Sequence, residues 1–213
     1  MSDERHSEHP TPSGLLARLL EGNRRFREGT RCERDLPKEI FATRDGQRPP
    51  MAIVGCIDSR ASPELVFDLG VGEAFDIRLA GAVVDDVAIG SLEYACGVAG
   101  AVLLLVMGHT GCGAVKAACD VASGTGMPRE EMGNIQAVID PILEAIEAET
   151  MTSSGRVSSN DDFVDRVAEL NVQRTIRVIR QRSGSLNTLA EDGRLVIAGA
   201  MYDVRSGLVR ILD

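Results

Sequence analysis

Residues 101–108, AVLLLVMG, run for eight positions without a polar side chain. Successive side chains of a strand point to opposite faces, so a strand of this composition must be covered on both sides. Residues 51–57 (MAIVGCI) form a second apolar run, and residues 73–81 (EAFDIRLAG) give a third strand candidate. Helix signals lie between them: Ser62 with Pro63 marks one start, and Asp85 can cap another helix through VAIGSLEYACGVAG. Short strand then helix, repeated, is the pattern of a parallel sheet packed between helices. Near the end, RLVIAGAMYDV and LVRIL flank the turn RSG and read as a strand with a hairpin return. The expected fold is α/β: a mainly parallel central β-sheet flanked by helices, with an antiparallel edge strand and an N-terminal helical arm.

The 213 residues suit one domain. Residues 1–12 lack periodicity and are expected to be a disordered arm, leaving 13–213 as a single domain. Ser13 is expected to cap a helix over 13–28, where Leu15, Leu16, Leu19 and Leu20 make an apolar face that a partner subunit could cover. Pro141 is expected to bend or divide the helix pattern over 129–149. A polar loop over 151–160 and a long helix over 161–182 follow. The 32 acidic against 23 basic residues give a net charge of −9, which argues against a phosphate-backbone partner. No apolar run approaches the roughly 18 to 20 residues a membrane span needs, and the polar N-terminus lacks a secretory signal pattern. The expected setting is cytoplasmic, with no membrane or nucleic-acid partner. An odd set of five cysteines (Cys32, Cys56, Cys96, Cys112, Cys119) fits reduced thiols.

Two turns carry the chemistry. Cys56, Asp58 and Arg60 follow the first apolar run, and GHTGCGA (108–114) follows the strongest one, so both emerge at carboxyl ends of parallel strands, where open α/β sheets bind ligands. Glycines 108, 111 and 113 permit positive-φ conformations that would curl His109 and Cys112 toward one point, which Cys56 can also reach. Two thiolates and an imidazole suit zinc, and the absence of a fourth Cys or His nearby favours a site that is open or closed by a carboxylate. The plain alternative is that a cysteine at a strand end is a small buried hydrophobe, which is the reading adopted for Cys32, Cys96 and Cys119. Asp58 and Arg60 could be an ordinary surface ion pair. Beside a metal, a carboxylate fixed by a guanidinium would orient what the metal activates.

With C-x-D-S-R at 56–60, SLEYA at 91–95, G-H-x-x-C-G at 108–113 and GAMYDVRSG at 199–207, the chain resembles the β-class carbonic anhydrases. The resemblance implies a zinc enzyme for the reversible hydration of carbon dioxide to bicarbonate and a proton. Cys56, His109 and Cys112 would be the Zn2+ ligands, and Asp58 with Arg60 the catalytic dyad orienting a zinc-bound hydroxide for attack. It also implies a homodimer or dimer of dimers, with Gln47, Phe75, Ala80 and Gly113 at the substrate pocket. Leu79 stands where many members carry asparagine. A regulated subgroup binds a second bicarbonate beside Trp, Arg and Tyr; Arg78 and Tyr202 could match two of these, but Ile53 occupies the Trp position. The expectation is therefore no such pocket, with Asp58 paired to Arg60 and water completing the zinc at neutral pH. Hydrolysis of carbonyl sulfide or carbon disulfide, or a catalytically silent zinc-binding relative, are the alternatives.

Overall fold

A computed structural model describes residues 10–212 of the chain. Helix α1 (Pro12–Glu28) and α2 (Leu36–Ala42) precede β1 (Met51–Gly55), α3 (Pro63–Val66) and β2 (Phe75–Arg78). Then come α4 (Asp86–Glu93), β3 (Leu103–His109), α5 (Gly113–Ser123), α6 (Gln136–Ala148), α7 (Asp161–Arg182), α8 (Gly184–Glu191), β4 (Val196–Tyr202) and β5 (Val209–Leu212). The strands form one sheet in the order β2-β1-β3-β4-β5. The first three pairings are parallel, and only β4 with β5 is antiparallel.

The apolar runs sit where their composition demands. Every residue of β1 and β3 is buried, whereas edge strand β2 is half-buried throughout. Alternation divides the core in two. Ala52, Val54, Leu104 and Val106 face one layer with Val115, Ile142, Phe163 and Val172 from the α5–α7 helices. Met51, Ile53, Leu103 and Leu105 face the other, with Leu15, Leu19 and Phe67.

Several expectations need correction. The α1 cap is Thr11, which accepts from the Gly14 N–H at 3.2 Å, with Pro12 in the first turn; Ser13 already lies inside the helix. Most of the expected arm, residues 1–9, lies outside the described residues. Of the apolar face of α1, Leu15 and Leu19 are buried within this chain in the same cluster as Val66 and Phe67, each such burial contributing about 1.5–3 kcal/mol, whereas Leu16 is half-buried and Leu20 is exposed. Helix α6 begins only at Gln136 and runs through Pro141 undivided. Helix α7 spans the expected residues and is capped by Asn160, whose Oδ1 accepts from the Phe163 N–H. Ser62 stands at the cap of α3, but its hydroxyl donates to Glu64 rather than accepting from the helix backbone. Cys96 and Cys119 are buried, and burial pushes both thiols up to about 11; Cys32 is exposed, contrary to the reading given it.

Candidate metal centre

The carboxyl end of β1 delivers Cys56, and the end of β3 delivers His109. The chain turns at Thr110-Gly111 and presents Cys112 as the residue capping α5, where unpaired helix N–H groups favour a thiolate. Of the three glycines expected to shape this turn, only Gly111 has positive φ, at 62°. Gly108 is needed for another reason: a Cβ there would lie 2.6 Å from Val172 Cγ2 and 2.8 Å from Met201 Sδ. The neighbouring elements lock the turn. Thr110 N–H donates to the Tyr202 carbonyl at 3.0 Å, Thr110 Oγ1 donates to Asp203 at 3.3 Å, and Gly111 N–H donates to Asp165 at 2.8 Å. The GAMYDVRSG segment thus supports the metal turn from β4.

One donor atom from each of Cys56, His109 and Cys112 lies within 4.8 Å of the others, and all three residues are buried. The two sulfurs are 4.0 Å apart. Sulfurs bound at about 2.3 Å to one tetrahedral ion stand about 3.8 Å apart, so the pair is already close to zinc geometry. His109 Nδ1 lies 3.0 Å from the Thr110 carbonyl, and a carbonyl can only accept, so the proton belongs on Nδ1. The lone pair is then on Nε2, which is buried and has no hydrogen-bond partner among the described residues. Leaving a buried acceptor unpaired is costly, and a cation between the three donors would satisfy it. Without one, the hydrogen bond between the cysteines lowers the Cys56 thiol and raises that of Cys112, so the pair keeps one proton. The donor set fits zinc.

Asp58 lies beside the donors. Its Oδ1 accepts from the Arg60 backbone N–H at 2.9 Å and from Arg60 Nε at 3.0 Å, while Oδ2 accepts from Nη2 at 2.7 Å. Those bonds hold the carboxyl well below the usual carboxylate range. Oδ2 retains acceptor capacity and lies 4.0 Å from His109 Nε2.

The remaining sequence candidates are more dispersed. Gln47 is exposed on the segment before β1, Phe75 is half-buried and packs on the main core, Ala80 begins the turn after β2, and Gly113 is exposed at the start of α5. Leu79 packs against that same core and donates its N–H to the Gly55 carbonyl. Ile53 is fully buried in β1. Arg78 donates from Nε to the Cys56 carbonyl at 2.9 Å and from Nη2 to the Asp58 carbonyl at 2.6 Å, a use that its sequence did not suggest. A cleft of about 800 Å³ beside Arg34, Leu65 and Asp76 contains none of the donors.

The carbonic anhydrase family model matches residues 51–209. Carbonic anhydrase 2 of Mycobacterium tuberculosis is 32% identical over 206 residues, spanning 95% of this chain and 93% of the relative. The carbonic anhydrase of Mycolicibacterium smegmatis is 30% identical, covering 94% of this chain and 93% of the relative. Among solved structures, the Coccomyxa β-carbonic anhydrase in complex with acetazolamide superposes with a TM-score of 0.71 at 27% identity, covering 92% of this chain and 86% of that one. The β-carbonic anhydrase CafA of Aspergillus fumigatus gives 0.69 at 28% identity, covering 94% and 90%. A family match across most of the chain, the shared fold and a donor set fitted to zinc together make this chain a member of the β-class carbonic anhydrase family.

Proposed function

We propose that the chain catalyses the reversible hydration of carbon dioxide to bicarbonate and a proton, with zinc held by Cys56, His109 and Cys112 and the Asp58–Arg60 pair acting beside it. The observation that carries this reading is the remaining acceptor capacity of Asp58 Oδ2, 4.0 Å from the unpartnered His109 Nε2. When bound between Cys56, His109 and Cys112, zinc would supply the Lewis acidity that makes water nucleophilic near neutral pH. Two thiolates offset the charge of the ion, and His109, with its proton on Nδ1, contributes a neutral lone pair. Asp58 stays ionised under working conditions, so it accepts a hydrogen bond and does not deliver a proton. A nucleophile that donates its O–H to Oδ2 has its lone pairs turned from the carboxylate toward the carbon of the substrate. Arg60 grips both oxygens of Asp58 and prevents its rotation.

Gln47, Phe75, Ala80 and Gly113 are the proposed pocket residues, with Phe75 offering the apolar surface that an uncharged linear substrate requires. Self-association as a homodimer or dimer of dimers is supported by α2, where Leu36, Ile40 and Phe41 are 50%, 58% and 65% exposed. A thiolate-ligated metal favours a reducing compartment such as the cytoplasm; no helix among the described residues is long and apolar enough to cross a membrane.

Stopped-flow carbon dioxide hydration, run beside sulfide release from carbonyl sulfide and carbon disulfide, tests the reading. Hydration that collapses in Asp58→Ala with zinc retained is the expected result. Sulfide release without hydration, or zinc-loaded protein with neither activity, would overturn it.

A further inference from the structure

We propose that Arg78 is a positioning residue for the hydration reaction, holding the loop that carries both a metal ligand and the orienting carboxylate. The inference rests on the carbon dioxide hydration reading. Arg78 closes β2 and pairs in register with Gly55, the last residue of β1. From there its guanidinium reaches along the loop leaving β1. Nε donates to the Cys56 carbonyl at 2.9 Å and Nη2 to the Asp58 carbonyl at 2.6 Å.

The arrangement fixes Asp58 at two ends. Arg60 holds its carboxylate and Arg78 holds its main chain, so the side chain can neither swing nor be carried by a shift of the loop. That restraint matters because Asp58 Oδ2 is only 4.0 Å from His109 Nε2. A small backbone rotation would turn the carboxylate from its partner Arg60 toward the donor atoms and convert an orienting group into a competing ligand. The planar fork of a guanidinium suits two acceptors set side by side; an ammonium is a single point of charge without that fixed geometry. The same two bonds also commit this guanidinium to the protein backbone, so it is not a free anion receptor.

The test uses zinc-loaded full-length protein with Arg78→Met and Arg78→Lys. Supporting residues around metal ligands typically account for about 10–100-fold in activity or metal affinity. Both variants should lose about that much in kcat/KM for carbon dioxide hydration, with kcat falling in parallel. Backbone hydrogen exchange in the 56–60 segment should accelerate about tenfold while β3 and β4 keep their protection, a local signature that general destabilisation would not give. If Arg78→Met does not fold, Arg78→Lys, which keeps the stem and the charge, carries the test alone. Either folded variant with kcat/KM within about twofold of the parent, or unchanged exchange over 56–60, overturns the inference. A parent protein without hydration activity overturns the functional reading instead, and the exchange measurement still reports on the loop.

Discussion

Gly108→Ala tests how tightly the metal turn is tied to the core. Gly108 lies opposite Met201 in the β3–β4 register, and a methyl there would stand 2.6 Å from Val172 Cγ2 and 2.8 Å from Met201 Sδ. Favourable carbon contacts lie at about 3.5–4.0 Å, so one side must give by about 1 Å. The Met201 thioether ends a flexible chain and can move aside. Val172 is β-branched and seated on α7, so most of the strain falls there. Overpacking of this kind costs about 1–3 kcal/mol. At roughly 2–4 °C per kcal/mol for a chain of this size, Tm should fall by about 2–12 °C. Because His109 is the next residue, a displacement of β3 moves the imidazole, and a misplacement of about 1 Å can cost about 100-fold in rate. Val172→Ala removes the colliding methyl and on its own costs about 2 kcal/mol from a residue 1% exposed. Urea unfolding and stopped-flow hydration of the parent, both single variants and the double variant complete the cycle. The double variant should be more stable than additivity allows by about 1 kcal/mol or more, and should recover hydration. Additivity to within about 0.5 kcal/mol would refute the steric account of Gly108.

Burial, reinforced by the neighbouring Glu64 charge, pushes Asp76 up to about 8 from 3.8, so the folded chain holds a proton that the unfolded chain releases. The linked stability is present below pH 3.8 and is lost as pH rises toward 8, so Asp76→Asn should raise Tm most near pH 8 and least near pH 4; a gain that does not vary with pH would contradict this. Asn23, buried at 2%, donates to the Val66 and Gly207 carbonyls and accepts from the Val209 N–H, joining α1 to the β4–β5 hairpin. Asn23→Ala should cost about 3 kcal/mol at about 1 kcal/mol per bond, with hydration per zinc unchanged; a Tm within about 2 °C of the parent would count against it.

The parts of the molecule visible in the sequence are those set by local chemistry. The buried runs of β1 and β3 announced a two-sided sheet, and Asp85 marked the start of α4, where its Oδ1 accepts from the Ala88 N–H at 2.8 Å. Cys56, His109 and Cys112 meet because each lies at or just beyond the carboxyl end of one of two adjacent parallel strands, a consequence of topology that spacing alone implied. Helices α2 and α8 were not anticipated, being short, with no buried residue in the first and one in the second. The true α1 cap was obscured because Thr11, Ser13 and an intervening proline all carry start signals, and only the backbone decides among them. In the sequence Arg78 could be read only as a possible match to the arginine of a second-bicarbonate pocket and not as a clasp, because its acceptors are carbonyls, which no sequence pattern displays. Gly108 shows the same limit: its signal suggested a positive-φ turn, whereas its actual constraint is the close approach of Val172 from α7 and Met201 from β4.

Hydration rate against zinc content, with zinc stripped by a chelator and returned in steps, tests most directly whether Cys56, His109 and Cys112 form the metal site at which this chain hydrates carbon dioxide. Activity should rise in proportion to zinc, saturate at one ion per chain, and not be restored by zinc in Cys112→Ser. Fully zinc-loaded protein without hydration, or hydration that persists unchanged after zinc is removed, would contradict this role.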